Sequence, residues 1–393
     1  MVKTSNPMKV DAVVVGMGIL GLLLAKRLLD LGQTVVVIEK SPTIAHGASI
    51  KNHGWLHQGT SHTLSAKDLV QGNDMARQLQ YGHAFFKDYA PECFDNPFKP
   101  TYAITRDTGR AMMAREIWSQ CGVPYTEIPV EDFLHAEPSF NPTQVVAAFR
   151  IADSQVNNRM LFMKLYTEIK RKGAAILTGA SYEYEKSDTI RVISMYGELL
   201  VKSSLFFYAT GANLNNSYQK LTGQTLDMHH YKSHLLYMPR ITEHSIIGLD
   251  DDSPIVVNHD DVSVVNRPHD QVLSMNGDYR VDEAEVSRTL ALTVRSYSNA
   301  AKLSRDDIKA AACLKPAVSS GDFNVNASIH QPMPGHIFAL PGKMTAAPYV
   351  ADMIVRSVSS KLNLDPITPR PFDADVDPII PAAKARSHQP LSV

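Results

Sequence analysis

The sequence predicts an α/β fold in which a Rossmann-like nucleotide-binding domain is joined to a discontinuous, β-sheet-rich second domain. Three observations carry this. The run VDAVVVGMGILGLLLAKRLLDLGQTVVVIEK, residues 10–40, has the strand, glycine turn, helix and second strand of a dinucleotide-binding βαβ unit. At 393 residues the chain exceeds one core of ordinary size, and its 44% hydrophobic content is enough to bury two. From Leu235 to about Met275 the residues read as alternating strands.

The elements follow in order. Asp11 to Val15 reads as a buried strand running into Gly16-Met17-Gly18-Ile19-Leu20-Gly21. Leu22, Leu23, Ala25, Leu28 and Leu29 then recur at helical spacing up to Gly32, and the strand Thr34 to Ile38 ends on Glu39. Gly16 permits the tight turn, Gly18 lets the backbone approach a pyrophosphate, Gly21 lets the helix pack on the strand, and the helix N-terminus faces the negative charge. Glu39 can accept hydrogen bonds from a ribose 2′-hydroxyl, which disfavours NADP and leaves NAD and FAD open. A polar, glycine-rich loop from His46 to Gly59 follows and suggests a ligand. Helices are expected at Ser65 to Tyr89, Arg110 to Cys121, Arg159 to Lys172 and Val281 to Tyr297, and strands at Thr101 to Thr105, Ala174 to Thr178 and Ser204 to Tyr208. The last strand delivers Ala209-Thr210-Gly211-Ala212, small residues that allow close backbone approach to a ligand. Near the C-terminal end, Gly335 to Leu340 forms a strand, Pro341 to Pro348 a loop, and a helix starting at Pro348 runs to about Leu362.

Composition removes several function classes. Lys plus Arg (39) nearly cancel Asp plus Glu (40), so a nucleic-acid footprint is not expected. Three cysteines, Cys93, Cys121 and Cys313, lack metal-ligand spacing and fit a reducing, cytoplasmic setting better than a disulfide framework. The apolar run Ala12 to Ala25 is explained by the βαβ unit and is too short to span a bilayer. The tail 368–393, rich in proline, reads as an extended end.

Four elements together resemble the D-amino-acid-oxidase-like family of FAD-dependent oxidoreductases, which includes glycine oxidase, sarcosine oxidase and glycerol-3-phosphate dehydrogenase. They are GMGILG with Glu39, the GASIKNHG segment (47–54), the late ATGA (209–212), and the strand-loop-helix around Gly342 to Pro348. The resemblance covers most of the chain and implies an FAD-binding domain of the GR2 type, expected at 1–90, 149–215 and 309–367, with a substrate domain at 91–148 and 216–308. It implies that Gly16, Gly18, Ile19, Leu20, Gly21, Glu39 and Lys40 hold the ADP half of FAD. By the same resemblance Ala48, Ser49, Asn52, His53 and Gly54 lie along the pyrophosphate and flavin, Ala209, Thr210 and Gly211 contact the cofactor, and Gly342, Lys343, Met344 and Thr345 reach the pyrimidine edge. A helix start and Lys343 there would stabilise the negative charge of a reduced flavin.

Such a cofactor accepts a hydride equivalent, so the protein must hold a substrate C–H over it and manage one proton. His57, just past the flavin loop, matches a histidine of hydroxy-acid members and could take a substrate hydroxyl proton. Lys315, in Cys313-Leu314-Lys315-Pro316, resembles the family's Arg-Pro element that meets a substrate carboxylate. His234, Tyr237 and Arg267 fall on expected strands of the substrate-domain roof. Cys313 resembles the cysteine that tethers flavin in sarcosine oxidase. The lysine with which sarcosine-oxidase-type members activate oxygen is expected near Val272 to Asn276, and VLSMN contains none, so electrons could pass to oxygen or to another acceptor. The favoured expectation is dehydrogenation of a small amine or amino acid. Its close competitor is the same chemistry on a C–OH bond of a hydroxy acid or polyol phosphate. A non-catalytic flavoprotein subunit and an NAD-dependent dehydrogenase are the remaining alternatives. The partner is a small molecule, preferably anionic, and no metal is expected.

Overall fold

A computed structural model describes residues 6–142, 145–267, 271–273, 278–318 and 327–359. The Pro-rich tail 368–393, and much of the stretch 272–276 in which the oxygen-activating lysine was sought, lie outside them. The described residues form two compact units. One holds those up to Ile50, from Met160 to His230 and from Pro316 onward; the other holds Lys51–Arg159 and Tyr231–Lys315. These boundaries differ from the expected ones, most of all in assigning residues 51–90 to the second unit. The reason is pairing: Trp55–Leu56 is hydrogen-bonded to Ser154–Val156, and the Trp118 indole donates to the Thr60 carbonyl at 2.7 Å.

The first unit is built on a six-stranded sheet in the order Ala175–Leu177, Val35–Ile38, Ala12–Val15, Leu205–Tyr208, His336–Leu340 and Ser328–Met333. All neighbours are parallel except the last pair. Its central strands are buried along their whole length, as expected of a parallel sheet covered on both faces. The helix Ile19–Asp30 covers one face together with Ala347–Ser357, which Arg27 joins through Asp352 at 2.6 Å. Val13, Val15, Phe206 and Tyr208 point instead into a core shared with Ala180, Tyr182, Ile190, Val192 and Val201. Most of those residues belong to a four-stranded sheet of Met8–Lys9, Gly197–Lys202, Thr189–Ser194 and Ser181–Lys186. The buried Lys26 is satisfied by Asp30 at 2.6 Å and Glu168 at 3.2 Å, which fastens the first helix to Asn158–Arg171.

The second unit carries a nine-stranded sheet. Ala103, Phe149, Leu235, Val257 and Val264 face a core with Trp55 and Trp118. Their neighbours Ile104, Ala148, Leu236, Val256 and Val265 face a second core with Phe133 and Tyr297. Period-two alternation thus builds two cores from one sheet. Three of its helices, Leu69–Tyr89, Thr108–Gln120 and Glu283–Ser296, start on aspartate caps whose carboxylates accept from Gln71, Arg110 and Ala284 N–H groups. A small sheet of Trp55–Leu56, Ser154–Val156 and Phe94–Asp95 lies in the same unit. The helix Leu214–Thr222 of the first unit was not expected from the sequence. No described helix is long and apolar enough to cross a membrane.

Candidate cofactor and active site

In the first unit the glycine turn is sterically obligatory. Gly16 has φ +98°, and a Cβ there would lie 2.5 Å from the Ala209 carbonyl oxygen; a Cβ on Gly21 would lie 1.9 Å from that of Gly16. No other residue fits either position. Glu39, at the end of the second strand, accepts the Met17 N–H at 2.7 Å on one oxygen and the Ser41 N–H at 2.8 Å on the other. Those two bonds orient the carboxylate and leave further lone-pair capacity for a ribose diol. The Ile19 N–H donates to Ser49 Oγ at 3.1 Å, which ties the following loop to the helix start. That helix begins on Gly18 with no acid in its first turn, so its positive end is open to an anion. The side chains of Ile19 and Leu20 are buried in the core, and these residues can serve a nucleotide only through their backbone. Lys40 is exposed and Ala48 half-buried.

The other expected cofactor contacts of this unit sit on turns. Ala209 donates its N–H to Val15 at 2.8 Å, Gly211 has φ +55°, and the Thr210 hydroxyl is 3.3 Å from that of Ser217. Gly342 has φ +69°; Lys343 and Met344 are half-buried and Thr345 fully buried, just before the helix Ala347–Ser357. A phosphate-accepting helix end, two spaces that only glycine fits and an oriented acid make this cradle fit a dinucleotide.

In the second unit the rest of the loop is held by Asn158, the first residue of the helix Asn158–Arg171, and by Asp153, between the strands Ala147–Ile151 and Ser154–Val156. The Asn52 carboxamide oxygen accepts the Gly54 N–H at 2.8 Å and sits 3.0 Å from Asn158 Nδ2. His53 Nδ1 accepts the Trp55 N–H at 3.1 Å. Asp153 is buried and receives three donors: Trp55 Nε1 at 2.7 Å, the Thr60 hydroxyl at 2.7 Å and the Gln58 N–H at 2.9 Å. His57 Nδ1 lies 3.6 Å from the same carboxylate, and the His57 ring stands 4.3 Å from that of His62. Burial opposes the charge on Asp153, but His57, Thr60 and Trp55 together outweigh it and hold the carboxyl below the usual range. An ionised, immobilised carboxylate beside a buried imidazole can orient a proton acceptor and stabilise it once charged.

The other expected catalytic residues have additional partners. His234 Nε2 accepts the Asp282 N–H at 3.0 Å and supports the cap of the helix Glu283–Ser296. Arg267 pairs with Glu285 at 2.7 Å. Both were expected on the roof facing substrate, and both have structural work that a strand pattern cannot reveal. Tyr237 packs on the Trp55 and Trp118 core, where burial raises its phenol. Lys315 and the buried Cys313 lie on the strand Lys309–Val318. Asp153 was missed, since its bonding to Trp55 spans 98 residues.

A family profile described as FAD dependent oxidoreductase matches residues 11–356. No curated protein matches the sequence. Among solved structures, glycine oxidase from Geobacillus kaustophilus superposes with a TM-score of 0.74 at 15% identity, covering 90% of this chain and 95% of its own. L-proline dehydrogenase from P. horikoshii gives 0.72 at 17%, covering 91% and 95%. L-alpha-glycerophosphate oxidase from Mycoplasma pneumoniae, with FAD bound, gives 0.72 at 15%, covering 88% and 94%.

Proposed function

The chain belongs to the DAO family of FAD-dependent oxidoreductases, and from that premise we propose that it dehydrogenates a small molecule at a C–OH bond with His57 as proton acceptor. The observation that supports this most is the buried His57–Asp153 pair. A substrate ammonium can lose a proton to solvent and leave the neutral amine, whose lone pair assists hydride departure, whereas a hydroxyl must give up its proton as the hydride leaves, so C–OH dehydrogenation needs a positioned base where amine oxidation does not. When bound, the flavin supplies the hydride acceptor. His57 takes the hydroxyl proton. Asp153, locked by Trp55, Thr60 and Gln58, stabilises the resulting imidazolium from 3.6 Å, a distance suited to electrostatics rather than to a hydrogen bond. Glu39, Gly16, Gly18, Gly21 and Ser49 would hold the ADP half of the cofactor, Lys343 and the turn before Ala347 would hold its pyrimidine edge, and Lys315 would meet an anionic group on the substrate.

The amine or amino-acid reading keeps its own support. GASIKNHG resembles the loop of the amine-oxidising members, and two of the superposed structures are named for glycine and L-proline. Anaerobic addition of pooled 2-hydroxy acids and polyol phosphates, and separately of amino acids and secondary amines, distinguishes the two. Bleaching of the visible flavin absorption by the hydroxyl pool, lost in His57→Gln, is the expected result. Bleaching by the amino pool with His57→Gln unimpaired would replace it with the amine reading, and a flavin that no pool reduces would favour a non-catalytic subunit.

A further inference from the structure

The loop Asn52–Gly54 is buttressed from below by a second buried histidine–aspartate pair with no part in the chemistry above. His259, at the end of the strand Ile255–His259, is 1% exposed. Its Nδ1 lies 2.7 Å from Asp95 Oδ2, and its Nε2 lies 2.8 Å from the carbonyl oxygen of His53. Its ring also lies flush against Gly54. That residue has φ +73°, and a Cβ there would come within 2.8 Å of His259 Cε1 and 2.5 Å of the Val156 carbonyl oxygen.

Both ring nitrogens of His259 face acceptors, so the pair must retain a proton between them. It sits either on Asp95, with a neutral imidazole, or on Nδ1, with an ionised Asp95. Either way the pair is electrically neutral and Nε2–H donates to His53. Burial opposes the charge on the imidazole and pulls it down to about 4. Asp260, the next residue, acts on the ring electrostatically and is itself raised chiefly by burial. Asp95 is fixed in turn because Phe94–Asp95 pairs with Gln155 and Val156 in the small sheet that also carries Trp55.

We propose that His259, oriented by Asp95, is the positioning residue for the His53–Gly54 peptide, and through it for the flavin-facing part of the loop. This rests on the FAD reading of the loop. His259 acts through the backbone of the loop, so its effect is on how the cofactor is held and on its spectrum rather than on proton transfer.

Two near-isosteric substitutions separate its two bonds. His259→Gln places an amide where Nε2 is and can still donate to the His53 carbonyl; His259→Asn reaches Asp95 but not His53. The apoprotein of each is titrated with FAD, and flavin absorption and fluorescence are recorded alongside thermal unfolding of the apo form. The expected result is FAD affinity within about threefold of wild type for His259→Gln, and a loss of about tenfold or more with a shifted flavin spectrum for His259→Asn, the scale of one lost buried hydrogen bond. Asp95→Asn, which mimics the protonated acid, should stay close to wild type, whereas Asp95→Ala should follow His259→Asn. Equal affinity and spectra for the Gln and Asn variants would overturn the proposal, as would unchanged FAD binding in Asp95→Ala. A wild-type protein that takes up no flavin overturns the reading of the loop itself, and the positioning role with it.

Discussion

At the residue scale, two carboxylates do different work because of what surrounds them. Glu39 is held by two backbone N–H groups beside a glycine turn, in a motif that is nearly contiguous in sequence, and for that reason was legible from the sequence. Glu39→Ala should weaken FAD binding by tenfold or more, the cost of removing charged hydrogen bonds to the ribose and to the turn, and a flavin fluorescence titration measures it. Asp153 is held by Trp55, Thr60 and Gln58 from a stretch nearly a hundred residues upstream, and nothing in its local sequence marks it. With His57 as the base, His57→Gln should lower kcat by a factor of about 10²–10⁴ with little change in KM. Asp153→Asn should lower kcat less and shift its pH profile. Stopped-flow flavin reduction reads both. Of the expected catalytic residues, His57 stands beside Asp153, while His234 and Arg267 have structural partners that their alternation along strands could not disclose.

At the scale of elements, the strands and helices that the sequence did mark lie within a few residues of the observed ones. Thr101–Thr105 and the βαβ unit are clear examples, because their signals are local: alternation, helical spacing and glycines at a turn. The three-stranded sheet was not legible, since Trp55–Leu56 and Phe94–Asp95 are too short to show a period and acquire their conformation from pairing with Ser154–Val156. That sheet is nevertheless what holds the loop. Gly54 is its steric weak point: with φ +73° and a carbonyl 2.5 Å from where a Cβ would stand, Gly54→Ala should cost about 1–3 kcal/mol in a chemical denaturation experiment. An unchanged midpoint would mean that the loop relaxes away from His259 without penalty.

At the scale of the whole molecule, stability should depend on pH through buried imidazoles. His83 is fully buried, bonded to the Ser154 hydroxyl at 2.9 Å, and pulled down to about 4 chiefly by burial, with Asp153 opposing and Lys87 and His57 reinforcing the shift. Its folded pKa is below that of the unfolded chain, so the unfolded state binds more protons between the two values. Stability is full above about pH 6.5, falls as the pH drops toward 4, and levels below that, by about 3 kcal/mol for this group. Thermal unfolding across that range should show the slope, and His83→Gln should flatten it. Saturating FAD at about a hundred times its Kd should add about 2.7 kcal/mol to stability, read as a rise in thermal unfolding temperature. Consecutive residues alone specified the glycine turn, the acid at the end of the second strand and the buried core strands, and it took the GASIKNHG, ATGA and Gly342–Pro348 segments beside them to give the resemblance to the family. Only the tertiary structure decided where one unit ends and the next begins, which carboxylate stands beside His57, and that His259 reaches the His53 carbonyl across 206 residues. A backbone conformation is written in neighbouring residues, whereas a buried polar side chain takes its partner from whichever strand the sheet brings to it, and no local pattern records that choice.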